Sequence, residues 1–145
     1  MIIGKEVISV YNRFITGLPP FGSTETWLRT VIKFAQWEDS ADRNVTNIGA
    51  TFIDKHINIY IPKTANTEGK KYMRSSEWIL LPNDKKAQAW TLAVDSSIIT
   101  LGETPIITSL YTMQTLRNEH RHCLIKAIED LSNSPIMPHW EVAGI

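Results

Sequence analysis

Residues 51–62 read Thr51-Phe52-Ile53-Asp54-Lys55-His56-Ile57-Asn58-Ile59-Tyr60-Ile61-Pro62, and their alternation decides the fold class. Ile53, Ile57, Ile59 and Ile61 fall on one parity; Asp54, His56, Asn58 and Tyr60 fall on the other. A period of two marks a strand with one buried face. Pro62 ends the ladder because it has no N–H to donate. Upstream, residues 27–37 carry Leu28, Ile32 and Phe34 on one parity and Trp27, Val31 and Trp37 on the other, which predicts a strand covered on both faces. Residues 6–14 place Ile8, Val10 and Phe14 on one face, with Glu6 and Asn12 interrupting it. Downstream, residues 90–101 read as extended with a bend at Asp95-Ser96-Ser97 and Gly102 as a stop, and residues 139–142 read as a last short strand. Residues 75–81 suit one helical turn capped by Ser75 or Ser76. Leu110, Met113, Leu116 and Arg117 fit helical spacing, and Cys123, Ile125 and Ala127 alternate with Leu124, Lys126 and Ile128. That predicts a short helix and then a strand; a single helix over 110–131 is the competing reading. The sum is a mainly β chain, a small antiparallel β-barrel or sandwich with long loops and one or two short helices. One domain spans 1–145, with extended loops at 62–75 and 132–138.

The chain has 145 residues, enough for one domain with a core that stands without disulfides or metal. Lys+Arg and Asp+Glu are each 15, so the formal net charge is zero, which argues against a dedicated nucleic-acid binder. The single cysteine, Cys123, rules out an intrachain disulfide framework. The longest apolar runs, such as Trp78-Ile79-Leu80-Leu81, are far too short to span a bilayer, and the first residues show no signal-peptide pattern. A soluble protein of a reducing compartment is expected.

Catalytic chemistry finds little footing. His120-Arg121-His122-Cys123 gathers three metal-ligand types, but no second cysteine or histidine motif completes a zinc site, and a solvated turn before a strand is the better reading. Cys123, flanked by Leu124 and Ile125, reads as a buried small hydrophobe rather than a nucleophile. No nucleophile elbow, P-loop or dinucleotide fingerprint occurs. Glu38-Asp39 and Glu129-Asp130 are adjacent pairs whose side chains diverge on a strand. Asn44-Val45-Thr46 matches a glycosylation acceptor by chance in a chain without a secretion pattern. No enzyme activity, cofactor or metal is expected. The loop residues Thr64, Asn66, Glu68, Lys70, Lys71, Tyr72 and Arg74 are long, polar and basic, and are expected to form an interface or channel-lining loop. Its removal is expected to leave a folded monomer that cannot assemble. Of the five tryptophans, Trp27, Trp37 and Trp90 lie in strands and read as core, whereas Trp78 and Trp140 flank loops and are expected at an interface.

Several segments resemble, in order along the chain, a family of small proteins from the head–tail junction of tailed phages and prophages. They are Val10-Tyr11-Asn12-Arg13; Trp27-Leu28-Arg29-Thr30-Val31-Ile32 with Trp37; His56-Ile57-Asn58-Ile59-Tyr60-Ile61-Pro62; Trp90-Thr91-Leu92 with Ile98-Ile99 and Gly102; and His139-Trp140-Glu141-Val142-Ala143-Gly144. Asn118 to Cys123 is more polar and His-rich than that pattern. The resemblance is to head-closure, or stopper, proteins. It implies a virion protein of the neck, made in the bacterial host cytoplasm, with no enzyme activity and no cofactor. It implies self-assembly as a ring, taken as a hexamer, between an adaptor protein on the head side and a tail terminator or tail tube protein on the tail side. Non-specific contact with DNA in the channel and no membrane contact go with it. A tail terminator or tail-completion protein is the alternative within this class, and a cytosolic small-ligand binding module is the alternative outside it.

Overall fold

The alternation in residues 51–62 is realised as a strand whose Ile59 and Ile61 are fully buried and whose Asn58 and Tyr60 face outward. Burial of such a side chain is worth about 1.5–3 kcal/mol. The structure, a computed structural model, describes residues 4–17, 22–45 and 51–145; for residues 40–45 and 51–55 it describes the backbone only. The Ile53 side chain, most of the loop between Gly17 and Gly22, and Thr46 therefore lie outside the described residues. In chain order the elements are β1 (Glu6–Thr16), β2 (Thr24–Val45), β3 (Thr51–Pro62), β4 (Lys71–Tyr72), α1 (Ser75–Trp78), α2 (Asn83–Lys86), β5 (Ala89–Trp90), β6 (Ile98–Leu101), α3 (Met113–Glu119), β7 (His122–Leu131) and β8 (His139–Gly144). The chain is mainly β, as expected, and residues 113–131 form a helix and then a strand rather than one helix. Thr112 caps that helix by accepting from the Thr115 N–H.

Six strands pair antiparallel in the closed order β1-β2-β3-β8-β7-β6, and β6 returns to β1. The closure is flattened and sandwich-like. One wall holds β1, the first half of β2, β6 and the start of β7; the other holds the second half of β2, β3, β8 and the rest of β7. β2 passes from wall to wall at Phe34. Glu6 pairs with Ala35 and Val7 with Lys33, so Phe34 is an extra, bulged residue, and its φ is 71°. A bulge re-aims every residue after it. Ile32 points inward before it, Ala35 and Trp37 point inward after it, and Phe34 is 60% exposed. The expected sharing of one face by Ile32 and Phe34 is corrected for this reason. Gly4 lies against the corner, where an added Cβ would clash with the Phe34 carbonyl oxygen.

The core joins inward residues of all six strands, among them Ile8, Ile32, Ile59, Ile99, Ile125 and Val142, with Trp90 and Leu92. Trp90 packs edge-on against Trp140 at 5.1 Å and against Tyr72 at 4.9 Å. Asn12 holds this segment. Its Nδ2 donates to the Thr91 carbonyl (2.7 Å) and to Ser97 Oγ (3.0 Å), and its Oδ1 accepts from the Thr91 N–H (3.1 Å). Outside the first wall, Tyr11, Ile98 and Leu116 pack together with Trp27 and Tyr111, so residues 102–119 cover that face. A third cluster, Phe14, Trp78 and Ala89, closes one end.

Trp78 and Trp140 are 2% and 6% exposed, so neither is available as an interface anchor on the folded chain. Trp78 lies edge-on to Phe14 and donates Nε1 to the Lys86 carbonyl, and Trp140 belongs to the main core. The polar loops beside them disguise two core residues. Among the described residues, no helix is long and apolar enough to cross a membrane.

Candidate interaction face

The two walls differ on their outer sides. The first is covered by residues 102–119, whereas the second exposes two rows of side chains that the strand register aligns. One row runs Gln36, Tyr60, Glu141, Glu129; the next runs Glu38, Asn58, Ala143, Ala127. The small Ala127 and Ala143 leave a shallow cleft of about 390 Å³ bordered by Asn58, Tyr60, Glu129 and Glu141. Two carboxylates, Glu38 and Glu141, thus act on one phenol, and Glu129 stands one strand further on. The Tyr60 hydroxyl is pushed above its ordinary pKa by burial, then by Glu38 and Glu141. Glu129 and Glu141 stand directly opposite each other, a pairing of like charges that costs sheet stability. Glu141 has a compensating partner, His139, whose Nε2 donates to Glu141 Oε1 at 2.9 Å. His139 also donates Nδ1–H to the Met137 carbonyl at 2.6 Å. With both nitrogens donating, the imidazolium is favoured and the His139 pKa is raised, first by Glu141 and next by the carbonyl.

The loop after β3 behaves differently from its sequence reading. The edge of β2 at Arg29, Val31 and Lys33 faces away from β1, and the loop covers it. Lys33 and Asn66 exchange backbone hydrogen bonds of 2.9 and 3.2 Å. The Val31 N–H donates to a Glu68 carboxylate oxygen, and Lys70 Nζ donates to the Arg29 carbonyl (2.8 Å) and Thr30 Oγ1 (3.1 Å). Residues 66, 68 and 70 so stand against 33, 31 and 29 as a stand-in strand. Burial pushes the Lys70 ammonium below its ordinary pKa. Tyr72 packs inward against Trp90 and Trp140, and burial raises its hydroxyl to about 12. Glu68, Lys70 and Tyr72 are therefore fastening groups of the fold, which corrects their reading as free interface residues. Thr64, Lys71 and Arg74 remain exposed, as does Asn66, whose Oδ1 accepts from the Glu68 N–H.

The remaining candidates are placed apart from this face. Cys123 is fully buried, and burial pushes its thiol up to about 12, far from a nucleophile's range. His122 turns back to the His120 carbonyl and accepts from Arg117 Nε. Asp39 pairs with Arg121, and Asp130 accepts from Ser132. A second cleft of about 290 Å³ lies beside Trp78, Ile79, Arg13 and Thr91.

Residues 4–145 match the family of unknown function DUF6751, nearly the whole chain. No curated protein and no solved structure matches. The chain belongs to the DUF6751 family.

Proposed function

We propose that this DUF6751 member is a structural subunit of the phage neck, a head-closure ring component that joins the portal-side adaptor to the tail and helps retain packaged DNA. The observation that carries the reading is a projecting arm. β2 and β3 stay paired from Gln36↔Tyr60 out to Val45↔Thr51, but β8 accompanies β3 only as far as Ile57↔Gly144. Among the described residues, the backbone of the ribbon beyond residue 57 pairs β2 with β3 and not with β8. A barrel that carries such an arm suits a subunit that grips neighbours or narrows a channel. The ordered resemblance to stopper proteins supports the same reading.

The test is electron microscopy. Purified protein, alone or with a cognate portal and adaptor, is expected to form rings with a central opening, and labelled subunits are expected between head and tail. A label found on the head-facing end of tails that carry no head assigns the alternative role of tail terminator. A chain that stays a monomer in every mixture refutes both. The cleft beside Trp78, where the buried Thr91 hydroxyl has no hydrogen-bond partner among the described residues, favours a second reading as a small-ligand binding module. Saturable quenching of tryptophan fluorescence by a ligand would establish it.

A further inference from the structure

Local groups of like charge stand on this chain although the total is zero. The open wall carries Glu38 and Glu141 beside Tyr60, with Glu129 one strand further on. The segment between β3 and β5 carries exposed Lys63, Lys71, Arg74 and Lys85 together with exposed Glu68, Glu77 and Asp84, and Lys71 and Arg74 are grouped at β4. Ion pairs form elsewhere, as Arg13–Glu25, Arg121–Asp39 and Lys126–Asp95. Among the described residues, no salt bridge reaches Glu38, Glu129 or any of those four bases, and none links the two sets.

Arg74 acts on Asp130 of its own chain, the neighbour of Glu129 on β7, but no salt bridge forms there among the described residues. The basic segment lies where Tyr72 packs onto Trp140 inside the barrel, and Glu141, the next residue along β8, points out through the wall. Within one copy no salt bridge joins the two sets among the described residues, and a second copy can supply the pairing. We infer that the outer face of the β2-β3-β8-β7 wall is the docking surface for the basic segment of a second copy, with Lys71 and Arg74 of one subunit set over Glu38 and Glu129 of the next. The contact is heterologous, because different patches meet, and repetition by rotation closes a ring. This inference rests on the proposed ring and supplies its contact. Exposed pairs contribute little singly, but complementary patches fix register and reject wrong partners.

The experiment is sedimentation velocity on the full chain over a concentration series, at low and high salt. Three variants are compared with the native chain: E38K/E129K, K71E/R74E, and the fourfold combination. Glu141 is left intact because it holds His139. Each double variant is expected to weaken association by about tenfold or more, since it sets like charges face to face. An equimolar mixture of the two double variants is expected to recover assembly, and so is the fourfold variant. Recovery also shows that each chain folds. Salt is expected to weaken the native assembly. Double variants that assemble like the native chain, or a mixture that fails to recover while both variants melt normally, overturn the inference and leave the ring standing. A native chain that never associates overturns the inference together with the ring.

Discussion

Three side chains set the local terms. Asn12 sits among apolar neighbours at 2% exposure and makes three hydrogen bonds, two of them to the backbone of Thr91. Asn12→Leu preserves volume but strands a buried N–H and carbonyl, each costing about 1–3 kcal/mol. The urea midpoint is expected to fall by the equivalent of about 2–5 kcal/mol; an unchanged midpoint would show that water or a local shift satisfies Thr91. Phe34 makes the opposite case. It holds a left-handed backbone at φ 71° while exposing most of its ring. That conformation costs a non-glycine residue about 1–2 kcal/mol, and glycine adopts it freely. Phe34→Gly is expected to leave the melting temperature unchanged or raise it, and a drop of several degrees would mean that the ring packs more than its exposure suggests. His139 gives a pH dependence. Its pKa is higher folded than unfolded, so its contribution is complete below about pH 6.5 and fades as pH rises through the folded value. Stability measured by urea unfolding is expected to decline over that rise, and His139→Gln is expected to flatten this part of the profile.

The loop between β3 and β4 shows what an element owes to its neighbours. A free strand edge invites pairing with other chains, and residues 66–70 occupy the edge of β2. Glu68→Ala with Lys70→Ala removes the carboxylate from Val31 and the ammonium from Arg29, at a cost of about 1–3 kcal/mol for partly exposed bonds. Deletion of residues 64–70 is expected to do more. Light scattering should report aggregation as the edge opens, whereas a stable, monodisperse deletion would restore the loop to a purely interfacial role. The sequence could not announce this, because Glu68 and Lys70 bind backbone atoms that carry no signature in residue type. By contrast, Ile59 and Ile61 declared their inward face through simple alternation, and Leu116 declared its helix through spacing. The bulge at Phe34 broke the parity of β2 for a reason invisible in composition, since a non-glycine residue rarely takes that backbone. Asn58 and Tyr60 were readable as outward. The pairing of Glu129 with Glu141 was not, because it needs the register between two strands separated by a loop.

For the whole molecule, the arm and the barrel are separable by their hydrogen bonds. The pairing of β3 with β8 lies between Ile57 and Pro62, and among the described residues the strand pairing of the arm beyond it is between β2 and β3 alone. Two strands alone are marginal in water, so the arm draws its order from the barrel and returns little to it. Replacing residues 41–55 by a short Asn-Gly turn removes the ribbon and keeps the inward residues Trp37, Ile59 and Ile61. The trimmed chain is expected to melt within a few degrees of the native one and to sediment as the same oligomer, because the charged contact proposed between copies lies on the barrel. Class averages of its rings should show a wider central opening if the arm points into the channel. A ring of unchanged bore would place the arm on the outer faces, against the adaptor or the tail. Loss of the oligomer with the fold intact would make the arm itself the grip between subunits, and the electrostatic contact would then be secondary to strand exchange between neighbouring copies.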